Sequence, residues 1–189
     1  MSNLRVIGGK AGGLRLKSVP GTGTRPITDR VKEALFNILG ADIQDSSILD
    51  IFAGTGAVGI EALSRGAAFA RMLDLNRLAI QTIHANLDHT HLSANAEVIQ
   101  VDSISYIQRQ PNKKFDYIYI APPQYKQMWL QTLQKLDTQP GWLMDNGWII
   151  VQIHPVEYEP IQLVNYVEID QRKYGSTLLV FFEKKADQG

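Results

Sequence analysis

The sequence predicts an α/β fold: a mainly parallel, seven-stranded sheet with helices on both faces and an N-terminal hairpin extension. Three observations predict it. From residue 48 onward, short apolar runs rich in β-branched residues alternate with amphipathic helical runs, the signature of βαβ units. Glycines and prolines punctuate the junctions between those runs. A length of 189 residues, with 44% hydrophobic and 20% charged side chains, suits one core and excludes a disordered, collagen-like or disulfide-stapled chain.

The elements follow in order. Residues 4–8 and 14–17, on either side of the glycine-rich GKAGG, read as a hairpin, and 20–26 as a loop. Thr28 is placed to N-cap a helix, with Asp29 in the first turn where a negative charge meets the helix dipole. Val31, Leu35, Ile38 and Leu39 make its apolar stripe, and Gly40 ends it. Strands are expected at 48–52, 70–75, 97–101, 117–121 and 148–154, with helices at 57–65, 78–87, 104–109 and 126–136 between them. Two closing strands, 161–170 and 177–183, joined by a turn at 173–175, form an antiparallel pair at one side of the sheet. One domain is expected over 1–189, a basic hairpin and loop at 1–26 and a Rossmann-like core at 27–189.

The formal net charge is zero, and there is no cysteine, which excludes disulfides, Cys-ligated zinc and thiolate nucleophiles. No apolar run approaches the roughly 20 residues that span a bilayer, and the first residues lack the apolar segment of a signal peptide. A cytoplasmic protein without membrane partners is expected. Within the neutral total lies an asymmetry. Up to residue 32 the basic residues are Arg5, Lys10, Arg15, Lys17, Arg25, Arg30 and Lys32 against the single acid Asp29, a balance of 7 − 1 = +6. Such an arm points to phosphates, with Lys10, Arg15, Lys17 and Arg30 as the candidate RNA contacts. A solvated hairpin with incidental charge is the plain alternative.

Folds of this kind bind ligands at the carboxyl ends of their strands, which directs attention to 50–56, 74–76, 102–103 and 121–125. In the first segment Gly54, Gly56 and Gly59 match G-x-G-x-x-G between a strand and a helix, where bare backbone can approach a ligand. Asp74 follows Gly54 by 74 − 54 = 20 residues, the position of an acid that takes ribose hydroxyls. Together they favour an adenosine-containing cofactor, without separating NAD from S-adenosylmethionine. Asp50, four residues before Gly54, would repel a pyrophosphate but suit the ammonium of a methionine tail. Asp102 is placed to accept from an adenine amino group, and Ala53, Leu75 and Ser103 complete these cofactor-site candidates. Pro122 and Pro123 remove two backbone donors and leave a rigid ledge of carbonyl acceptors at a strand end. Tyr125 is near enough to that ledge to stack on a flat ring.

At this point the chain resembles a known family. DIFAGTGAVGIEALSRG, the upstream TRPITDRVKEALFNIL, LDLNR, FDYIYIAPPQY and the late RKYGST are similar to the RsmD-type 16S rRNA (guanine-N2-)-methyltransferases, over about residues 5–182. The resemblance implies a class I, Rossmann-like methyltransferase fold binding S-adenosylmethionine. It implies methyl transfer to the exocyclic amino group of a guanine in small-subunit rRNA, free or in an assembling small ribosomal subunit. Carried over by residue, Asp50, Gly54 and Gly56 match the methionine-binding loop, Asp74 the ribose acid and Asp102 the adenine contact. Arg25, Thr28 and Asp29 match the upstream segment that closes over the cofactor. One departure stands out. Where the family has Asp, Asn or Ser, then Pro-Pro, then an aromatic residue, this chain has Ala121-Pro122-Pro123-Gln124, with the aromatic displaced to Tyr125. The catalytic candidates are therefore Ala121, Pro122, Pro123 and Tyr125, acting through backbone carbonyls and stacking. The alternative is a non-catalytic or weakly active RNA-binding protein that keeps the fold and the cofactor pocket. A nicotinamide-dependent oxidoreductase is disfavoured by Asp50.

No metal site is expected, since His84, His89 and His91 are spaced by 5 and 2 residues and do not share one helical face. His154 reads as an ordinary polar strand terminus. Trp129, Leu133 and Leu136 read as core.

Overall fold

A computed structural model describes residues 3–21, 26–124 and 127–187. The chain divides into two compact units, Met1–Asp102 and Ser103–Gly189. Among the described residues, three strands lie in the first unit and four in the second.

The first unit carries helix α1 (Asp29–Leu39), strand β1 (Ser47–Asp50), helix α2 (Ala57–Ser64), strand β2 (Phe69–Asp74), helix α3 (Arg77–Thr90) and strand β3 (Ala96–Gln100). β1 pairs with β2 and β2 with β3, both in parallel. Thr28 caps α1 as expected, its Oγ1 accepting from Val31 N at 3.3 Å, and Gly40 ends the helix at φ 57°. The N-terminal hairpin forms, but as the single bridge Arg5↔Arg15 rather than a ladder. Val6 N donates to Leu14 O at 2.9 Å and Leu16 N to Leu4 O at 2.8 Å. Leu4, Val6, Ala11 and Leu16 are buried, so the hairpin has a core face of its own.

That hairpin is fastened to α2 through Glu61, which is 0% exposed. Its Oε2 accepts from Ile7 N at 2.9 Å, and its Oε1 accepts from Gly8 N at 2.9 Å and from Arg65 Nε at 2.8 Å. Lys32 Nζ lies 3.4 Å from Glu61 Oε2 and donates to the carbonyl of Arg5. Burial pulls the Lys32 amine below the usual lysine range, and the Glu61 carboxylate opposes that shift. Lys32 is thus turned inward instead of adding to a surface charge of +6, and Arg5 pairs with Asp29 at 2.9 Å. At Gly9, φ is +76° and a Cβ would fall 1.9 Å from the Ser64 carbonyl oxygen, so only glycine lets the hairpin lie on α2.

The second unit carries helix α4 (Ser103–Ile107), strand β4 (Phe115–Ile120), helix α5 (Met128–Thr138) and strands β5 (Leu143–Ile153), β6 (Tyr166–Tyr174) and β7 (Thr177–Lys184). β4 and β5 are parallel, whereas β7 is antiparallel to both β5 and β6. Trp129, Leu133 and Leu136 are each 0% exposed, so the α5 stripe is core. Several boundaries differ from expectation, those of β5 and β6 the most; β6 also runs on to Tyr174, past the expected end at 170. β5 begins five residues earlier than the expected 148, with an irregularity that carries β4 pairing from Leu143 to Trp148. Gly147 allows it, because a Cβ there would come 2.7 Å from Asp116 O. β6 starts later than 161 because Asp137 takes the backbone first: Val164 N and Asn165 N each donate to its carboxylate at 2.7 Å. The closing turn is then two residues long, Tyr174 pairing with Thr177 around Gly175 at φ 58°.

Glu61→Leu should destabilise the protein by about 3–5 kcal/mol in urea unfolding, because Lys32 is left buried without its counter-charge. Lys32→Met combined with Glu61→Leu should recover part of that loss. Strict additivity of the two substitutions would contradict the buried pair.

Candidate cofactor and acceptor site

The first unit builds its site where β1 and β2 end. After Asp50 the chain turns: Ala53 N donates to Leu73 O at 2.9 Å and Gly56 N to Ala53 O at 2.8 Å. Gly54 and Gly56 have φ of 55° and 80°, left-handed values that suit glycine. A Cβ on Gly54 would meet nothing within 4 Å, so the turn presents open backbone there, whereas one on Gly59 would lie 2.7 Å from Met72 Sδ. The glycines therefore have different uses: Gly54 and Gly56 shape the turn, and Gly59 lets α2 approach β2.

Asp74 and the glycine turn are brought together. Asp74 Oδ2 accepts from Gly54 N and its Oδ1 from Asn76 N, both at 2.9 Å. A carboxylate has about four lone-pair sites, so capacity remains for two hydroxyl donors. Beside it Leu75 is 64% and Leu78 45% exposed, an apolar surface next to a polar acceptor. Asp50, at the end of β1, is 1% exposed, and its Oδ1 has no hydrogen-bond partner among the described residues. Burial, and then the Asp74 carboxylate, push the Asp50 carboxyl up to about 8, against a stabilising backbone hydrogen bond at Phe52. A carboxyl buried beside a second carboxylate ionises at a cost that a nearby cation would offset.

The remaining candidates lie as follows. Asp102 is exposed at the end of the first unit, and Ser103 is buried at the start of α4. Thr28 serves as the cap of α1 and Asp29 as the partner of Arg5. Lys10, Arg15, Lys17 and Arg30 are all exposed. In the second unit Ala121 and Pro122 are half-buried directly after β4, and Pro123 and Gln124 are exposed. Arg25 and Tyr125 lie outside the described residues. His84 and His89 are exposed on α3, while His91 caps it in a left-handed conformation. His154 caps a short 3₁₀ turn with Glu157.

The family model described as "Conserved hypothetical protein 95" matches residues 4–183. Ribosomal RNA small subunit methyltransferase D of Escherichia coli (strain K12) is 38% identical over 183 residues, covering 97% of this chain and 91% of that protein. The chain belongs to this RsmD-type family. Among solved structures, yhhF from Escherichia coli superposes with a TM-score of 0.85 at 33% identity, over 97% of this chain and 99% of that one. HI0767 from Haemophilus influenzae gives 0.78 at 30% identity, over 96% and 98%. The fold is accordingly the class I, Rossmann-like methyltransferase fold, as the RsmD-type resemblance implies.

Two residues that fasten the hairpin and the glycine turn escape sequence reasoning. Glu61 announces itself only as one charge within the apolar run AVGIEALS of α2. Asn86, 1% exposed on α3, gives no sequence signal. Its Oδ1 accepts from Lys17 N at 2.7 Å, while its Nδ2 donates to Lys17 O at 3.1 Å and to Thr55 O at 2.9 Å. Asn86 thereby ties the basic arm to the glycine turn.

The Asp50 carboxyl sets a pH signature. Its folded pKa lies above its unfolded value of 3.8, so its contribution to stability is full below about pH 4 and is lost as the pH rises to about 8. Asp50→Asn removes this dependence. Its melting temperature should exceed that of the wild type by a margin that widens up to about pH 8 and then stays constant. Parallel melting-temperature profiles for the two proteins would contradict the buried, protonated acid.

Proposed function

We propose that this chain is a cytoplasmic, S-adenosylmethionine-dependent methyltransferase that modifies the exocyclic amino group of a guanine in 16S rRNA, free or in an assembling small subunit. The observation that carries the reading is the pair of acids around the glycine turn. The residues fit the cofactor: the buried Asp50 oxygen would receive the methionine ammonium, Asp74 would take the ribose hydroxyls, and Leu75 and Leu78 would offer an apolar surface to the adenine. Ala53, Gly54 and Gly56 give backbone access to the methionine tail, and Asp102 and Ser103 border the adenine. Arg25, Thr28 and Asp29 belong to the segment that closes over it. When bound, the cofactor supplies an electrophilic methyl group on a sulfonium.

Family membership, and the Escherichia coli relative named for small-subunit rRNA, support RNA as the substrate. The exposed Lys10, Arg15, Lys17 and Arg30 meet its phosphates. The target amine is held at the carbonyls of Ala121 and Pro122, with Pro123 stiffening the ledge and Tyr125 stacking on the extruded base. With the cofactor bound, that position would let the amine's lone pair take the methyl group, the carbon–sulfur electrons staying with the thioether product and a proton passing from the amine to solvent. Ala121 also favours a second reading, an RNA binder that keeps the cofactor pocket without efficient transfer.

The test is transfer of a labelled methyl group to small-subunit RNA and to partly assembled subunits. Labelling of 16S rRNA at guanine N2 is expected. Asp74→Ala should bind S-adenosylmethionine about ten- to a hundredfold more weakly, as loss of charge-assisted hydrogen bonds requires. Alanine at each of the four arm positions should flatten the log–log salt dependence of RNA binding by about 0.7–0.9 per phosphate contact. RNA binding with cofactor binding but no transfer to any substrate would favour the second reading. Equal binding of NAD would contradict the cofactor assignment.

A further inference from the structure

β4 and β5 run in parallel register, Tyr119 opposite Ile150 and Ile120 opposite Val151, so the next residues in step are Ala121 and Gln152. Side chains alternate between the faces of a strand, which puts Tyr119, Ile150 and Gln152 on one face of the sheet, and the same alternation carried one residue past the end of β4 sets Ala121 on that face. On that face Tyr119, only 2% exposed, donates its phenolic hydroxyl to Oε1 of Gln152. Gln152 is the polar interruption in the otherwise apolar run 148–153, and it is half-buried at the carboxyl end of β5 while Ile150 before it is buried. A glutamine oriented by a buried tyrosine thus stands beside the residue at which this chain lacks the family's acceptor.

We infer that Gln152, oriented by Tyr119, makes the side-chain contact to the target base that Ala121 does not make. The inference rests on the proposed methyl transfer at the Ala121–Pro122 strand end. An amide oxygen has two lone pairs, and Tyr119 occupies one, leaving the other for an N–H of the target amine. Holding that N–H aims the nitrogen lone pair at the methyl carbon and accepts the positive charge that grows on the amine during transfer. The amide N–H₂ of Gln152 supplies a donor next to that acceptor. This pairing matches an edge with an amino donor beside a ring-nitrogen acceptor, which guanine presents at N2 and N3. A neutral amide takes up no proton, so the proton released on transfer goes to solvent. Tyr119 is a positioning residue: its hydroxyl selects the orientation of an amide that would otherwise rotate.

Single-turnover methylation of the small-subunit substrate tests this, with cofactor affinity measured for every protein. Gln152→Leu should slow transfer about ten- to a hundredfold, as loss of a group that binds developing charge does, while cofactor affinity stays at the wild-type value. Gln152→Glu, which keeps the acceptor, should retain most of the rate. Tyr119→Phe should lower kcat with little change in KM. In the Ala121→Asp background, where the acid supplies the acceptor, Gln152→Leu and Tyr119→Phe should each cost less than about threefold. That rescue would not occur if Gln152 or Tyr119 only supported the sheet. Transfer by the wild type with an unaffected Gln152→Leu, or equal losses in both backgrounds, overturns the inference alone. Absence of transfer by the wild type and every variant overturns the proposed function and the inference with it.

Discussion

A carboxyl group buried at the end of β1 is the constraint around which the first unit is arranged. Asp50 is almost wholly removed from water, and its Oδ1 has no partner among the described residues. Desolvation of this kind costs several kcal/mol for an ionised acid, so the fold holds the group protonated. The neighbouring Asp74 makes ionisation harder still. Two acids converging on an open glycine turn make ionisation of Asp50 costly. In the proposed function, a cation and hydroxyl donors arriving together would offset that cost.

The same turn is joined to the basic arm. Glu61 anchors the hairpin to α2, the helix that starts from the turn, and Asn86 bonds both Lys17 and Thr55. The arm is therefore a fixed part of the first unit rather than a tail. Its backbone N–H groups are used for attachment, which leaves the side chains of Lys10, Arg15 and Lys17 outward. Two arginines face each other across the Arg5↔Arg15 bridge, a like-charge pairing that a hairpin tolerates poorly unless an anion lies near. Arg5 finds that anion in Asp29.

Much of this was legible in the sequence because local chemistry decided it. Thr28 caps α1 because its oxygen competes for the first free amides, and Gly40 ends it because glycine accepts a positive φ. The glycine turn and Asp74 were legible from their spacing, which reflects the length of one βαβ unit. What was not legible depended on tertiary partners. Lys32 counts as surface charge until Glu61 is found buried beside it. The start of β6 depends on Asp137 capturing two amides from 27 and 28 residues away. Gln152 has no sequence partner, and its bond to Tyr119 appears only when β4 and β5 lie in register.

If the Asp50 carboxyl is held protonated until a cation reaches it, binding of the cofactor must expel its proton. Calorimetric titration of S-adenosylmethionine at about pH 6.5, where an α-amino group is already charged, in buffers of different ionisation enthalpy counts the protons exchanged. The wild type should release about one proton per cofactor bound, and Asp50→Asn none, with much weaker binding. Tight binding without proton release, or an Asp50→Asn protein that binds as the wild type does, would contradict the account.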